Sequence, residues 1–434
     1  MRRTRRLSTR RPRTRRLRTT ATATAAVLGT VLALASPAAA AGHGRRPAVS
    51  SSTWASLDKA YTFLDQTMDV YGTGSTLRLP QSFTGGYLGS IGFVSSFTYD
   101  DALTIMAFLQ RGSADDIARA TTLGNTLLYA QAHDPLGDGR LRASYQPNPF
   151  ITATGAPYIG SAATYTGNMA WVGLAFSHLY ADTGDSTYLA GALSTANWIQ
   201  TNAYDGTRGT PGYTGGRDAN NNPITYKATE HNIDVGAFFA MLAELTGNQV
   251  WAARSATAFG FVHSMWNPAT GSFWTGTDPD GVTTNYYPVP EDVQTWSYLA
   301  TGDPAYAASI DWVENNLAAN DNGFTGVSFS NADTSKVWFE GTAHLLDALY
   351  TRHTPADLTE AAKLLASLQS AQVSAPTADG EGIVAASSDG LQSGYGDTYY
   401  ASLHTGATSW YILAAEQADP FVLGPGENHY AHRR

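Results

Sequence analysis

The 434-residue chain contains no cysteine. That absence excludes disulfides, thiolate metal sites, a cysteine nucleophile and a lipidated N-terminal cysteine, so stability must come from packing alone. Charge is also scarce, at 15% of residues, and positive charge is unevenly placed. Ten of the 27 Lys and Arg residues are arginines within residues 2–18, a stretch without a single acid. The remainder holds 17 basic residues against 36 acidic ones, a net charge near −19. Such a body repels nucleic acid and anionic membranes, and no basic patch interrupts it. No apolar run beyond residue 41 approaches the ~20 residues that span a bilayer.

The arginine-rich start has a use of its own. It is followed by a small, apolar run from Ala21 to Ala35 and then by Ser36-Pro37-Ala38-Ala39-Ala40. A charged region, a short apolar region and a small-residue cleavage site predict a secretory signal peptide over 1–41 and a secreted protein. Thr14-Arg15-Arg16-Leu17-Arg18 admits twin-arginine export, although so many arginines produce such a pair by chance. Flexible segments are expected over 42–52 and 424–434, flanking one domain over 53–423.

Period-3.6 patterning with helix start and stop signals predicts twelve helices. They fall at 54–71, 99–112, 113–134, 166–183, 186–203, 230–247, 249–266, 290–301, 304–318, 338–352, 357–373 and 399–417. Tight turns such as Thr183-Gly184-Asp185, Thr246-Gly247-Asn248 and Thr301-Gly302-Asp303 join a glycine stop to an N-capping side chain. Between these pairs lie long connections at 72–98, 135–165, 204–229, 267–289, 319–337 and 374–398, expected on one face and to hold small strands or function. The helices after them are the more apolar, as in Met169–Phe176 and Val235–Leu242. The pattern therefore predicts an all-α inner ring of six helices inside an outer ring of six.

An inner helix should begin apolar apart from its cap, yet five begin with polar phrases. These are Tyr99-Asp100-Asp101, Thr166-Gly167-Asn168, Thr229-Glu230-His231-Asn232, Trp338-Phe339-Glu340-Gly341 and Leu403-His404-Thr405. With the helix count and loop alternation, they make residues 54–417 resemble the six-hairpin glycosidase superfamily. The resemblance implies an (α/α)6 toroid acting on carbohydrate, with its site at the inner-helix N-termini. No named family within the superfamily is assigned.

Hydrolysis of a glycosidic bond needs two carboxyl groups, one protonated. Glu230, Asp101 and Glu340 are the expected catalytic candidates. Glu230 is the acid candidate, although a Glu there also suits a helix dipole. Asp101 is the base or nucleophile, with Asp100 as cap. Glu340 is the rival, flanked by aromatics that raise a carboxyl pKa and by Gly341, which lets a ligand come close. Asp100, Asn168, Trp171, His231, Asn232, Asp234, Trp338 and His404 are expected to contact substrate, each also serving as an ordinary capping or core residue. Trp296, Tyr99 and Tyr399 are further stacking candidates. Glu291 and Asp292 read more plainly as helix-start acids. His344 lies near the same openings.

No zinc-protease, phosphate-loop or nucleophile-elbow motif appears, and Pro223 spoils the calcium-loop start at Asp218. No metal or cofactor is expected, and the partner is carbohydrate, bound by a monomer. The leading expectation is a glycoside hydrolase. A polysaccharide lyase and a non-catalytic glycan-binding toroid are the alternatives.

Overall fold

A computed structural model describes residues 48–424, so the expected signal peptide and the tail from 425 lie outside the described residues. Thirteen α-helices are present among the described residues. In chain order they are α1 (Ser51–Asp69), α2 (Gly86–Ser90), α3 (Thr98–Arg111), α4 (Ala114–Ala132), α5 (Thr166–Thr183) and α6 (Ser186–Asn202). There follow α7 (Thr229–Thr246), α8 (Gln249–Ser264), α9 (Asp292–Thr301), α10 (Ala308–Asn316), α11 (Phe339–Arg352), α12 (Pro355–Ser374) and α13 (Thr405–Ala415). Helices α3, α5, α7, α9, α11 and α13 pack in that order, and α13 returns to α3, closing an inner ring. Helices α4, α6, α8, α10 and α12 each pack on the inner helix before them, and α1 packs on α13. This is an all-α (α/α)6 toroid.

The turns that build it carry strong local signals. Gly112, Gly184, Gly247 and Gly302 end inner helices in the left-handed conformation, where the absent Cβ removes the usual steric cost. In the fifth turn His353 takes that conformation instead, at φ 59°. Ser113 and Thr354 form reciprocal capping boxes with Asp116 and Asp357, and Asp185, Asn248 and Asp303 cap through one side-chain oxygen.

The opposite ends of the inner helices are held differently. Phe97, Tyr165, Ala228, Glu291 and Trp338 precede them without a side-chain cap. Instead, the first N–H groups bond to the next long connection around the ring. Thr98 donates to Ala143 O, Thr166 to Gly215 O, Thr229 to Thr275 O, Glu291 to Phe329 O, Phe339 to Ala385 O and Thr405 to Ser82 O. Four of those positions are threonines whose hydroxyls add a second bond, to the carbonyls of Arg142, Thr214, Trp274 and Gln81. Each bond contributes about 1 kcal/mol and fixes a helix start against its neighbour. Short strand pairs complete the stitching, such as Phe83–Thr84 with Leu403–His404 and Thr164–Tyr165 with Gly216–Arg217.

Short helix α2 lies within connection 72–98, where no helix is expected, and three boundaries shift most. Helix α1 starts at Ser51, capped by Ser50, inside the segment expected to be flexible. The last inner helix starts at Thr405 rather than 399, because Thr398–Tyr399 and Leu403–His404 are drawn into strand pairs. The expected helix at 304–318 is a 3-10 turn over Pro304–Tyr306 followed by α10. Helix α1 also runs in the same sense as α13: Ser56 bonds Tyr411, and Tyr61 bonds Glu416. Connection 72–98 therefore climbs the outer wall, where the Arg78 N–H meets Thr126 Oγ1 of α4, to reach the face the other connections occupy.

The axis is filled at mid-height. Trp171, Trp296 and Trp410 meet with ring centroids 5.1–5.9 Å apart, and Phe421 packs against all three. Pro420 O lies 3.1 Å from His178 Nε2, so the segment after α13 folds beneath the ring and Phe421 plugs it. The toroid is thereby closed at the turn end and open at the other.

Candidate active site

Each inner helix delivers one polar side chain to the open mouth. In ring order these are Asp100, Asn168, Glu230, Asp292, Glu340 and His404, and all six line one cavity of about 590 Å3. One helical turn deeper, Trp171, Asp234, Trp296 and His344 form the next layer, as the i+3 and i+4 spacings require. The wall is completed by Tyr99, Trp338, Tyr399 and Tyr400, and toward connection 72–98 by Phe83, Leu88, Phe93 and Phe97. With the Trp cage below, the bowl has an aromatic floor and a carboxylate rim.

Glu340 is 3% exposed and accepts a 2.7 Å hydrogen bond from the Tyr99 hydroxyl, which itself accepts from Trp410 Nε1 at 2.8 Å. Burial pushes its carboxyl up to about 7, opposed by His404 and the Tyr99 bond and reinforced by Asp100. Glu230, half-buried on α7, is likewise pushed up to about 7, first by burial and then by the charge of Glu340. The two differ in support: Tyr99 and His404 stabilise the Glu340 anion, whereas only raising influences act on Glu230. The charge of Glu340 favours the protonated form of Glu230.

His404 joins two of these carboxylates. Its Nε2 lies 3.4 Å from Asp100 Oδ1 and its Nδ1 3.4 Å from Glu340 Oε2. Burial lowers its pKa, but Asp100 and Glu340 more than offset this and the net shift is upward. Its ring stacks on Phe83 at 4.1 Å. A Cβ on Gly406 would sit 2.6 Å from Asp100 Oδ1 and 2.9 Å from His404 Cε1, so glycine there leaves room for the pair. His231 also lines the cavity, and burial lowers its pKa to about 4, keeping it neutral.

Below the rim, the fully buried His344 holds Glu291 through an Nδ1–Oε2 contact of 2.9 Å and turns Nε2 to within 3.9 Å of Glu340 Oε1. Burial pushes the Glu291 carboxyl up and the His344 imidazole down, so both favour their neutral forms. A Cβ on Gly341 would strike the Trp338 ring and lie 3.2 Å from Glu291 Oε2. That glycine serves packing between neighbouring helices rather than the expected approach of a ligand.

The expected residues separate into two groups. Glu230, Glu340, Asp100, Asn168, Trp171, His231, Trp338 and His404 line the cavity together. Asp101 does not: it is fully buried on α3, accepting from Ser96 Oγ at 2.8 Å, so Asp100, expected as the cap, is the aspartate that faces the cavity, and neither side chain caps the helix. Helix geometry explains this, since adjacent residues point about 100° apart and only one of two can face the axis. Asn232 turns outward, bonding Tyr213 N, Tyr213 O and Ala228 O to fasten connection 204–229. Asp234 is fully buried one turn below Glu230. Asp292, expected as a plain helix-start acid, stands on the rim, and Asp397 reaches it from the last connection. The threonines at 98, 166, 229 and 405 were not singled out in the sequence; only the loop contacts reveal their anchoring role. Asp218 accepts from the N–H groups of Asn220 and Asn222, a turn as expected.

No protein-family model matches the chain, and no curated protein matches it. Solved structures do. A D-mannose isomerase superposes with a TM-score of 0.63 at 12% identity, covering 86% of this chain and 99% of that one. A glycoside hydrolase family 76 mannosidase, Bt3792 from Bacteroides thetaiotaomicron VPI-5482, gives 0.59 at 13% identity, covering 83% and 98%. A sugar epimerase from a ruminal bacterium gives 0.59 at 12% identity, covering 82% and 95%. Likeness at such identity is likeness of fold: the chain shares the (α/α)6 toroid of these three proteins.

Proposed function

We propose that the protein is an exported glycoside hydrolase in which Glu230 and Glu340 form the catalytic pair. The observation that carries this is the placing of two carboxyls, both raised by burial, on α7 and α11 around one aromatic bowl. Glu230, kept protonated by burial and by its partner's charge, donates its proton to the glycosidic oxygen as the C–O bond breaks. Glu340, its anion held by Tyr99 and His404, draws a proton from the water that adds to the anomeric carbon. Asp100 acts through His404, holding the imidazole beside Glu340. Trp338 and Tyr399 offer flat faces to sugar rings. The fold shared with a mannosidase supports carbohydrate as substrate. The arginine-rich leader of the sequence supports export.

A second reading, interconversion of free sugars, is favoured by one feature. His231 is neutral while His404 is biased toward its charged form, a base and an acid facing the same cavity. A D-mannose isomerase shares the fold. The decisive experiment incubates residues 42–434 with neutral glycans in 18O-labelled water and, separately, in deuterium oxide. Hydrolysis places 18O at new reducing ends, and Glu230→Gln or Glu340→Gln lowers kcat by about 10^3-fold. Deuterium on carbon with chain length unchanged would instead establish isomerisation and refute the hydrolase.

A further inference from the structure

A second cavity, of about 450 Å3, adjoins the first. The two share Glu230, His231, Asp292, Phe329 and Asp397, so they meet at the carboxylates. Their other walls lie on different sides of the mouth. The first extends to Phe83, Leu88 and Phe93, in the connection that precedes α3 and pairs with the strand leading into α13. The second extends to Tyr226, ahead of α7, and to Thr275 and Asn285, ahead of α9. In the ring order α3 stands opposite α9, and α13 opposite α7. The cavities therefore leave the shared carboxylates in opposite directions and make one cleft across the diameter of the mouth, with Glu230 in its central part.

The cleft has the chemistry of a neutral-sugar site. Tyr226 and Tyr395 line the second arm, where Tyr395 donates to Pro288 O at 2.9 Å and contacts Thr275 Oγ1, tying connection 374–398 across to connection 267–289. Asp278, Asn285 and Asp397 supply acceptors and amide donors for hydroxyl groups. Among the described lining residues, the imidazole of His404 stands between Asp100 and Glu340, and Lys227 is fully buried and spends its ammonium on Asp205 and on the carbonyls of Arg208 and Thr210. Both positive groups on the described walls are thus engaged by carboxylates of the protein, which leaves acidic sugars, sulfates and phosphates without a free cationic partner there.

We propose that this cleft binds an internal stretch of a neutral polysaccharide, with sugar units on both sides of the scissile bond, so that chains are cut within their length. The inference rests on the hydrolase reading and specifies its substrate. Its test does not require turnover. Glu230→Gln protein is titrated calorimetrically with neutral manno- and gluco-oligosaccharides of two to eight units. Affinity is expected to rise with length beyond four units, and Tyr395→Ala in the same background to bring the long-chain affinity down about ten-fold, the worth of one stacking contact. Affinity that levels off at two units, or tighter binding of a uronic-acid oligomer, would overturn the proposal. On a hydrolysed polysaccharide, viscosity is expected to collapse while few reducing ends have formed. Release of only mono- or disaccharide from the first minutes would overturn internal cutting while leaving the hydrolase standing. Binding of long neutral chains without hydrolysis by the unsubstituted protein would sink the hydrolase reading alone.

Discussion

At the turn end of the toroid carboxylates sit beside guanidinium groups; at the mouth they sit beside one another. Arg111 pairs with Asp65 and Asp116, Arg119 with Asp65, Asp69 and Asp115, and Arg352 with Asp311, Glu314 and Asp357. Those pairs complete capping boxes and clamp α1, α4, α10 and α12 to the inner ring. Across the ring, Asp100, Glu230, Asp292 and Glu340 share one bowl in which only His404 offers a cationic partner. Burial pushes the carboxyls of Glu230, Asp292 and Glu340 upward; at the turn end Asp69 and Asp357 are held down, and the rises that burial gives Asp65 and Glu314 are opposed by the neighbouring arginines. One end of the fold sets arginines against its carboxylates, and the other leaves buried carboxylates facing one another. That difference is what singles out the mouth as the candidate site.

The contrast can be broken from either side. Asp357→Ala removes a nearly buried partner of Arg352 and the α12 capping box together, and should destabilise by about 4 kcal/mol in chemical denaturation with kcat at 25 °C unchanged. Equal loss of activity would show that the two ends are not separable. Glu340→Gln should do the reverse. Its carboxyl rises from an ordinary 4.5 to about 7 on folding, so the stability tied to its proton is fully present below pH 4.5 and lost as pH climbs through 7. Removing that titration should return up to about 3 kcal/mol at pH 8 and little at pH 4, flattening the fall in Tm between those values.

A smaller effect sharpens the electrostatics within the mouth. Because the charge of Glu340 helps hold the Glu230 proton, Glu340→Gln should lower the Glu230 carboxyl pKa in a 13C NMR titration, by about one unit. An unmoved titration would mean that burial alone sets it. Smallest of all, His353→Gly should stabilise by about 0.5–1 kcal/mol, since the other four turns already place glycine in that left-handed position. A loss of stability there would assign the His353 side chain a role that its conformation does not suggest.

How much was legible in the sequence follows from the physics of each element. Helix periodicity, glycine stops and capping side chains act within a few residues, and so the rings and tight turns could be read directly. The working face was readable because Glu230 and Glu340 interrupt otherwise apolar helix starts. What stayed hidden is non-local. The choice between Asp100 and Asp101 depends on where the ring axis passes. The outward turn of Asn232 depends on the course of connection 204–229. The strand that delays α13 to Thr405 forms only when residues 403–404 meet residues 83–84. Asp292 looked like any acid at a helix start, and only ring closure brings it beside Glu230. Phe421, near the end of the chain, gives no local hint that it plugs the axis.

The central question is whether the mouth carboxylates serve turnover at the expense of stability. Turnover of a neutral glycan and thermal midpoint at pH 8, measured together on the unsubstituted protein, Glu230→Gln and Glu340→Gln, test that most directly. Both variants are predicted to lose about 10^3-fold in kcat while melting at or above the parent temperature. Retained turnover, or a midpoint lowered by several degrees, would show that these carboxylates hold the ring together rather than perform its chemistry.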